Sequence, residues 1–391
     1  MNILYLAHDL DDAAIWRRVR MLRQGGAHVT LAGFRRGTAP LGEEALTLGQ
    51  TQDGKLVARA VSVARWLPKI GRILAERCAD AAPQVILARN LEMLLLGRAC
   101  MQAFSAQPAL VYELLDVHRV MLGDRLPSRM LRGLEARLMR HAAEVWISSP
   151  GFDSQYLRPY RLPHTPRRLV ENKPFATEVV TTRLLPAEKG RITIGWFGIL
   201  RCRWSLHTLD ALTRAAPGRY RILLRGRPQM DVLPDFDRVV AANPDMEFGG
   251  AYRWPEDLPD IYGACDLAWL IDRYDAGANS DWLLPNRLYE GGLHGAVPIT
   301  LCNTEVDRRT AHMGCGLHVA TPELAAVTAS LSTLSAETLS AMRECLAALP
   351  RSLWQTDKEE CNALVDALRG LGALHSQAQK GKLSLREEPT S

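Results

Sequence analysis

The stretch LLPNRLYEGGLHGAVPIT, residues 283–300, contains the signals of a short helix that leads directly into a buried strand. Pro285 suits the first turn of a helix, where a missing N–H does no harm, and Gly295 suits the position just past the last turn. The apolar run VPIT at the end of the stretch is typical of a strand covered on both faces. A helix followed by such a strand favours an α/β fold with parallel strands.

The spacing of Arg287 and Glu290 puts both side chains on one face, close to the start of this helix. The first N–H groups of a helix carry about half a positive charge and favour an anion, and the Arg287 guanidinium adds a permanent cation. The Glu290 carboxylate can accept hydrogen bonds from two neighbouring hydroxyls, as on a ribose. The pair therefore predicts a nucleoside diphosphate site. The alternative is a surface ion pair of little energetic weight.

The composition is that of an ordinary globular protein. The chain has 391 residues, 47% of them hydrophobic and 23% charged, which suffices for two domains. No apolar run approaches the roughly 18 residues that a membrane-spanning helix needs, and no charged leader precedes the first strand. The eight cysteines lie far apart without metal-ligand spacing, so we expect reduced thiols in a cytoplasmic protein.

Short apolar segments alternate with helical patterns in two series along the chain. The first series is NILYLA (2–7), HVTLAGF (28–34), VILA (85–88), ALVYELL (109–115) and EVWISS (144–149), and the second is RITIGWFG (191–198), RYRILLRG (219–226), MEFGG (246–250), DLAWLI (266–271) and VPITL (297–301). The sequence therefore predicts an α/β protein with two Rossmann-like, doubly wound, parallel-sheet domains.

Changes in composition suggest the domain boundaries. We expect a first domain over residues 1–178, a polar linker at 179–190 and a second domain over 191–350. A C-terminal helix at 351–372 is expected to pack back on the first domain. The polar residues 373–391 are predicted to form a disordered tail.

Positive charge is concentrated in the first half of the chain. Residues 1–190 contain 27 Lys and Arg against 18 Asp and Glu, whereas the remainder contains 21 against 25. Residues 57–78 form a basic amphipathic segment with Trp66, a pattern typical of helices that rest on anionic headgroups. The alternative is an ordinary domain helix with a solvated basic face. Nucleic acid is not expected as a partner, because the sequence carries no motif for binding it.

The order of several motifs resembles one known family. PNRLYE with its small-residue turn and AVPI strand, together with GGAHVTLAGF, VWISSPGF, the N-K-P turn, GWFGILR and CDLAWL, resembles the GT-B glycosyltransferases. The similarity is greatest to the retaining family 4, which contains many bacterial polysaccharide-biosynthesis enzymes. It implies two domains that face a cleft, the first binding a sugar acceptor and the second a nucleotide sugar.

The resemblance assigns roles to residues around the opening stretch. Arg287 would contact the diphosphate and Glu290 the ribose of the nucleotide sugar, with Asn286 beside them at the start of the helix. The family usually carries a second glutamate eight positions before the one equivalent to Glu290, and it helps to hold the transferred sugar. Here that position is Trp282, and the adjacent Asp281 is a candidate substitute.

Two further positions of the second domain match the family's diphosphate contacts. Gly198 follows the first strand of this domain, where the backbone can approach a phosphate, and Arg201 comes shortly after it. Arg225 ends the next strand in a comparable position. The alternative for Gly198 is a simple turn glycine.

Acidic residues and a histidine follow two strands of the first domain. Asp9 and Asp11 come after the opening strand, and Asp116 and His118 come after ALVYELL. Members of the family often place a histidine or an acid near the second of these positions, close to the transferred sugar, whereas Asp9 and Asp11 are expected to face the cleft between the domains. If transfer inverts the anomeric centre, Asp116, Asp9 or Asp11 could deprotonate the acceptor hydroxyl; if it retains the configuration, they would orient the acceptor. A helix N-cap and a solvated turn are the alternatives.

These features predict a glycosyltransferase that moves a sugar from a nucleotide sugar, expected to be a UDP-sugar, to a glycan or a polyprenyl-diphosphate-linked saccharide. Neither a metal nor another cofactor is expected, because cations and a helix N-terminus can stabilise the departing diphosphate. We expect a cytoplasmic protein at the inner face of the cell membrane. A UDP-sugar epimerase of the same fold and a catalytically inactive partner subunit are the alternatives, and Trp282 is the best argument for the latter.

Overall fold

The computed structural model describes residues 1–38, 41, 43–51, 56–175 and 190–384. It divides into two compact units. The first unit contains the described residues of Met1–Phe175 and Asp357–Ser391, and the second contains those of Ala176–Thr356. The second unit therefore ends six residues after the boundary predicted at 350. Of the predicted linker, residues 179–190, all but Gly190 lie outside the described residues.

The first unit is built on a seven-stranded sheet with the order β3-β2-β1-β4-β5-β6-β7, in which every pair of neighbours is parallel. Its strands are β1 (Asn2–Ala7), β2 (His28–Arg35), β3 (Leu46–Gln50), β4 (Val85–Arg89), β5 (Ala109–Leu114), β6 (Ala142–Ile147) and β7 (Arg167–Leu169). Its helices are α1 (Ala13–Gln24), α2 (Leu56–Trp66), α3 (Ile70–Arg77), α4 (Asn90–Met101), α5 (Leu126–Met139), the short α6 (Pro150–Phe152) and α15 (Lys358–Ser384).

The second unit contains a six-stranded parallel sheet with the order β10-β9-β8-β11-β12-β13. Its strands are β8 (Ile192–Leu200), β9 (Tyr220–Pro228), β10 (Met246–Phe248), β11 (Leu267–Trp269), β12 (Val297–Leu301) and β13 (Leu317–Val319). Its helices are α7 (Arg203–Ala215), α8 (Phe236–Ala241), α9 (Leu258–Gly263), α10 (Asn279–Trp282), α11 (Asn286–Leu293), α12 (Glu305–His312), α13 (Leu324–Ser332) and α14 (Ala336–Ala348).

Both sheets reverse their winding direction next to the first strand, as doubly wound sheets do. In the first unit β1 lies between β2 and β4, and in the second unit β8 lies between β9 and β11. The predicted fold class, two parallel-sheet α/β domains, is confirmed. In such sheets ligands bind outside the carboxyl ends of the strands at the point of reversal. A ligand site is therefore expected at the loops after β1, β4, β8 and β11.

Local sequence explains how the first of these loops is held. Every residue of β1 after Asn2 is buried, because helices cover both faces of the sheet. The Asp12 side chain accepts a hydrogen bond from the Ala14 amide at 2.9 Å and caps α1. The helix ends before Gly26, which has a φ of 81°. The loop between β1 and α1 is thus held between a buried strand and a capped helix start.

The C-terminal helix differs from its predicted extent. Helix α15 begins at Lys358 and continues to Ser384, so residues 373–384 are helical where the sequence predicts a disordered tail. It belongs to the first unit and lies against α1: a Cβ at Gly25 would be 2.3 Å from the Cys361 carbonyl oxygen. Residues 385–391 lie outside the described residues.

The basic segment predicted at 57–78 is two helices, α2 and α3, which are separated at Pro68. The proline lacks an N–H for a continuous helix. No helix within the described residues combines the length and the apolar character needed to cross a bilayer.

Candidate active site

Helix α11 carries the central pair of the predicted nucleotide site. Pro285 is its N-cap residue, Asn286 is its first residue, and His294 is its C-cap. Gly295 follows with a φ of 78°, a conformation that favours glycine. The helix packs on β12, so its start is held by the second sheet.

Arg287 is partly buried, and its guanidinium has no hydrogen bond or ion pair within the described residues. The Nη1 atom is itself buried and has no partner. The surface ion pair with Glu290, the alternative considered from the sequence, is therefore not formed. A buried guanidinium N–H without an acceptor is costly, so this position favours an anionic ligand.

Glu290 is only 3% exposed and already has two hydrogen-bond donors. The indole Nε1 of Trp254 donates to Oε1 at 3.0 Å, and the Tyr262 hydroxyl donates to Oε2 at 3.3 Å. Burial, and then the charge of Glu290, raise the pKa of Tyr262 well above its usual value, so this hydroxyl keeps its proton. A carboxylate has about four lone-pair positions and can accept several hydrogen bonds at once. Sequence analysis missed Trp254, which is far from Glu290 along the chain.

Gly198 lies inside a strand rather than in a turn after it, because β8 continues to Leu200. It faces Gly226 of β9, with φ values of 100° and 128° at the two glycines. A Cβ at Gly226 would lie 1.9 Å from the Gly198 carbonyl oxygen. The close contact between the strands requires glycine at position 226, whereas position 198 favours glycine because of its positive φ.

Arg201 and Arg225, both predicted to contact the diphosphate, have neighbours of their own. The Nε atom of Arg201 is 3.9 Å from an Asp272 carboxylate oxygen, and its guanidinium lies 4.8 Å from the centre of the Tyr274 ring. Arg225 donates to the carbonyl oxygens of Gly250 at 3.2 Å and Ala251 at 3.1 Å. Arg225 therefore supports the loop that leads to Trp254.

The position of the family's second glutamate is part of the protein interior. Trp282 is 9% exposed, whereas Asp281 is partly buried and accepts a hydrogen bond from the Gly277 amide at 2.7 Å. Asp281 thus closes the turn at the start of α10, the short helix that precedes α11. Its predicted contact with a sugar stays a prediction, as does that of Asn286.

In the first unit, Asp9 and Asp11 are held by arginines from the end of β2 and the residues after it. Asp9 is 5% exposed and lies 3.1 Å from Nε of Arg36, and burial raises the pKa of its carboxyl. Arg35 donates to Asp11 at 2.7 Å, which lowers the pKa of that carboxyl to about 2. A carboxylate with so low a pKa is a weak general base, so Asp9 is the better candidate of the two.

A cavity of about 380 Å³ lies in the first unit, and both Asp116 and His118 line it. Apolar side chains dominate the remaining wall. Nδ1 of His118 accepts a hydrogen bond from the Val120 amide at 3.2 Å, which leaves the proton of the neutral ring on Nε2. Asp9 and Asp11 do not belong to the lining, whereas their neighbour His8 does.

Asn90 lines the same cavity and was not identified from the sequence. It is 9% exposed, has a φ of 70°, and its Oδ1 atom has no hydrogen-bond partner. An asparagine in this left-handed conformation is uncommon and often marks a functional position. A buried amide oxygen without a donor favours a ligand that offers a hydroxyl or an N–H.

Glu135 closes another part of the wall, where it is 1% exposed. The Tyr112 hydroxyl donates to Oε1 at 2.7 Å and the Tyr156 hydroxyl donates to Oε2. Burial raises the pKa of the Glu135 carboxyl despite these bonds. The two tyrosine rings are thereby fixed against the cavity.

Comparison with known proteins supports the fold and its class. No family model matches the chain. The Anabaena protein Alr3699/HepE in complex with UDP and glucose superimposes with a TM-score of 0.65 at 15% identity, covering 95% of this chain and 99% of that one. Sucrose-phosphate synthase from Thermosynechococcus elongatus superimposes with a TM-score of 0.66 at 16% identity, covering 98% and 100%.

The two Rossmann-like sheets and these neighbours show the GT-B fold, and the PNRLYE helix carries the motif on which the resemblance to GT-B glycosyltransferases rests. The chain is also 41% identical over 381 residues to the succinoglycan biosynthesis protein ExoL of Rhizobium meliloti (strain 1021), covering 95% of this chain and 94% of the relative. It belongs to the ExoL family.

Proposed function

We propose that this glycosyltransferase moves a sugar from a UDP-sugar to a glycan or polyprenyl-diphosphate-linked saccharide, in the assembly of a bacterial exopolysaccharide or lipopolysaccharide. The name of ExoL supports the pathway class, and the UDP and glucose bound by HepE support the nucleotide. A lipid-linked acceptor of this kind would be used at the inner face of the cell membrane.

The observation that carries the proposal is the unpartnered Nη1 atom of Arg287 at the start of a helix whose next turn bears the buried Glu290. Arg287 and the N-terminal amides of α11 bind the diphosphate, and Glu290 accepts from the ribose hydroxyls. Trp254 and Tyr262 hold the Glu290 carboxylate in one orientation. In this proposal Asn286 contacts the same nucleotide, and Gly198, Arg201, Arg225 and Asp281 shape its surroundings.

The positive charge of Arg287 and the helix N-terminus stabilises the diphosphate as it departs, so the proposed transfer needs no metal ion. Transfer should therefore continue when a chelator is added. Loss of transfer on chelation, with recovery on adding a divalent ion, would contradict this part of the proposal.

The cavity of the first unit is the proposed acceptor site, with Asp116 and His118 beside the reacting hydroxyl. Asn90 would accept a hydrogen bond from an acceptor hydroxyl. In a retaining transfer the leaving diphosphate takes the acceptor proton, whereas in an inverting transfer a carboxylate such as Asp116 takes it. The anomeric configuration of the product distinguishes these two routes.

The test is calorimetric titration of the full chain with UDP and UDP-glucose. Replacing Arg287 with alanine removes charge-assisted hydrogen bonds of about 1.5–3 kcal/mol each, so the dissociation constant should rise by about tenfold or more. Arg287→Lys keeps the charge and should be less impaired. Arg238→Ala is the matched control, since this arginine of the same unit has a side chain that is 75% exposed.

Wild-type affinity in Arg287→Ala would refute the proposed site. Incubation with the sugar donor alone tests the reaction class. A transferase leaves the sugar's configuration unchanged in the absence of an acceptor, whereas an epimerase converts it.

A further inference from the structure

The outer face of helix α5 exposes two large apolar side chains. Leu126 is 70% exposed and Met130 is 66% exposed. They are four residues apart, so they lie next to each other on one side of the helix. Within the described part of the chain, Leu126 is the most exposed large hydrophobic residue.

Exposed arginines occur at both ends of the same helix and beside the apolar pair. Four exposed guanidinium groups, none of which has a hydrogen bond or ion pair within the described residues, belong to Arg125, Arg129, Arg137 and Arg140. The exposed acid nearby is Asp124, which lies 4.0 Å from Arg132. Arg132 itself turns inward, where it donates to the carbonyl oxygens of Met121 and Gly123. We call Leu126, Met130 and the four exposed arginines the α5 outer face.

The basic segment that the sequence singled out is less suited to such a role. In α3 the arginines face acids, with Arg72 lying 3.9 Å from Glu76 and Arg77 forming an ion pair with Glu44. The indole of Trp66 is partly buried and donates to the Leu48 carbonyl oxygen. Helix α2 exposes Val61 to 45%, whereas α5 exposes two larger apolar side chains to 70% and 66% on a helix whose exposed arginines have no acidic partner within the described residues.

The opposite side of α5 contributes to the cavity described above. Leu131 and Glu135 line that cavity, and both belong to this helix. The cavity wall is mainly apolar, with leucine, valine and methionine side chains. One helix therefore has an outer face with apolar and basic groups and an inner face that forms part of the proposed acceptor site.

We propose that the α5 outer face docks on an anionic lipid bilayer. Leu126 and Met130 would enter the boundary between headgroups and acyl chains, and the four arginines would bind lipid phosphates around them. Charge complementarity favours this partner, because the face combines positive charge with an apolar tip. Docking would bring the cavity to the membrane surface where a lipid-linked acceptor lies; that consequence rests on the proposed function, whereas docking itself does not.

Co-sedimentation of the full chain with vesicles tests the proposal without a sugar donor or acceptor. Neutral vesicles of phosphatidylcholine alone are compared with anionic vesicles made of phosphatidylcholine and phosphatidylglycerol in equal parts. The wild type should bind the anionic vesicles, and added salt should weaken binding. The double change Leu126→Gln with Met130→Gln should lower the bound fraction about tenfold, and Arg125→Gln with Arg129→Gln should lower it several-fold.

Leu374→Gln is the matched control, since Leu374 of α15 is 66% exposed in the same unit. It should bind as the wild type does. Circular dichroism and thermal melting check that each variant is folded. We expect that they all are, because the altered side chains are exposed. Equal binding of the wild type to both kinds of vesicle, or wild-type binding by the folded Leu126/Met130 double variant, would overturn the proposal. Failure of nucleotide binding would not affect this result.

Discussion

The indole N–H of Trp254 donates to the Glu290 carboxylate at 3.0 Å, which links the loop after β10 to the helix that carries the proposed nucleotide site. Arg225 supports that loop through two carbonyl oxygens. The carboxylate is buried, so its orientation depends on these neighbours rather than on water. Trp254 is therefore a positioning residue for Glu290.

Trp254→Phe should weaken UDP binding by about fivefold, because one hydrogen bond to a charged group is lost while the ring is largely kept. Calorimetric titration measures the dissociation constant. Trp16→Phe is the control, since the Trp16 indole donates to a main-chain carbonyl in the other unit. Unchanged UDP affinity in a folded Trp254→Phe variant would show that the ribose does not depend on this bond.

Asn90 offers a test in which stability and activity should change differently. Its Oδ1 atom is buried without a partner and its φ is 70°. Asn90→Gly removes the unsatisfied oxygen and keeps a residue that tolerates this φ, so the free energy of unfolding should change by less than about 1 kcal/mol. Transfer to the acceptor should fall about tenfold or more, whereas UDP binding should be unchanged.

Urea denaturation and transfer kinetics at varied acceptor concentration measure the two effects. A variant that loses stability and UDP binding together would indicate a structural role for Asn90. Wild-type transfer by Asn90→Gly would remove this residue from the proposed acceptor site.

Gly226 makes the contact between β8 and β9 possible. Gly226→Ala places a methyl group 1.9 Å from the Gly198 carbonyl oxygen, at a φ of 128°. Strain and overpacking together should lower the free energy of unfolding by about 2–4 kcal/mol. Gly218→Ala is the control, because its φ is 74° but nothing lies within 4 Å of the added methyl. Thermal melting should show the larger decrease for Gly226→Ala, and equal decreases would contradict the packing argument.

The sequence predicts the buried central strands of both sheets better than the strands at their edges. Strands β1 and β12 coincide with the predicted runs at 2–7 and 297–301, because strands covered on both faces are continuously apolar. Strands β3 and β7 were missed, since edge strands such as LTLGQ and RRL are short, partly exposed and without an apolar run. Local pattern does not mark such strands, which depend on a neighbour for pairing.

Some residues of the candidate site can be predicted from local sequence, whereas others depend on tertiary structure. Helix α11 and the face shared by Arg287 and Glu290 follow from local spacing and capping. Trp254 and Asn90 do not, because a hydrogen bond between distant loops and a left-handed φ are consequences of the tertiary structure. The predicted disorder was wrong for residues 373–384, since α15 continues to Ser384 despite its polar composition.

The buried carboxylate of Glu113 should make the first unit sensitive to acid. Arg18 donates to Glu113 at 2.9 Å, Arg89 donates at 2.8 Å, and the Tyr5 hydroxyl donates at 2.7 Å. Burial opposes ionisation, but the charges of Arg89 and Arg18 outweigh it and lower the pKa of Glu113 from 4.5 to about 2. The folded state therefore binds this proton less readily than the unfolded state does. The stabilisation is present above about pH 4.5 and is lost as the pH falls towards 2.

Glu113→Gln should lower the free energy of unfolding by about 3–5 kcal/mol at neutral pH, because it removes the carboxylate that both buried guanidinium groups contact. Arg89 then keeps the more distant Asp12, at 4.0 Å. Its loss of stability between pH 4.5 and 2 should be smaller than that of the wild type, because the titrating group is absent. Urea denaturation across this range, followed by circular dichroism, measures both effects. Glu43→Gln is the control, since Glu43 forms an exposed ion pair with Arg23 in the same unit. A Glu113→Gln variant that loses stability with acid as steeply as the wild type would show that other carboxylates govern the transition.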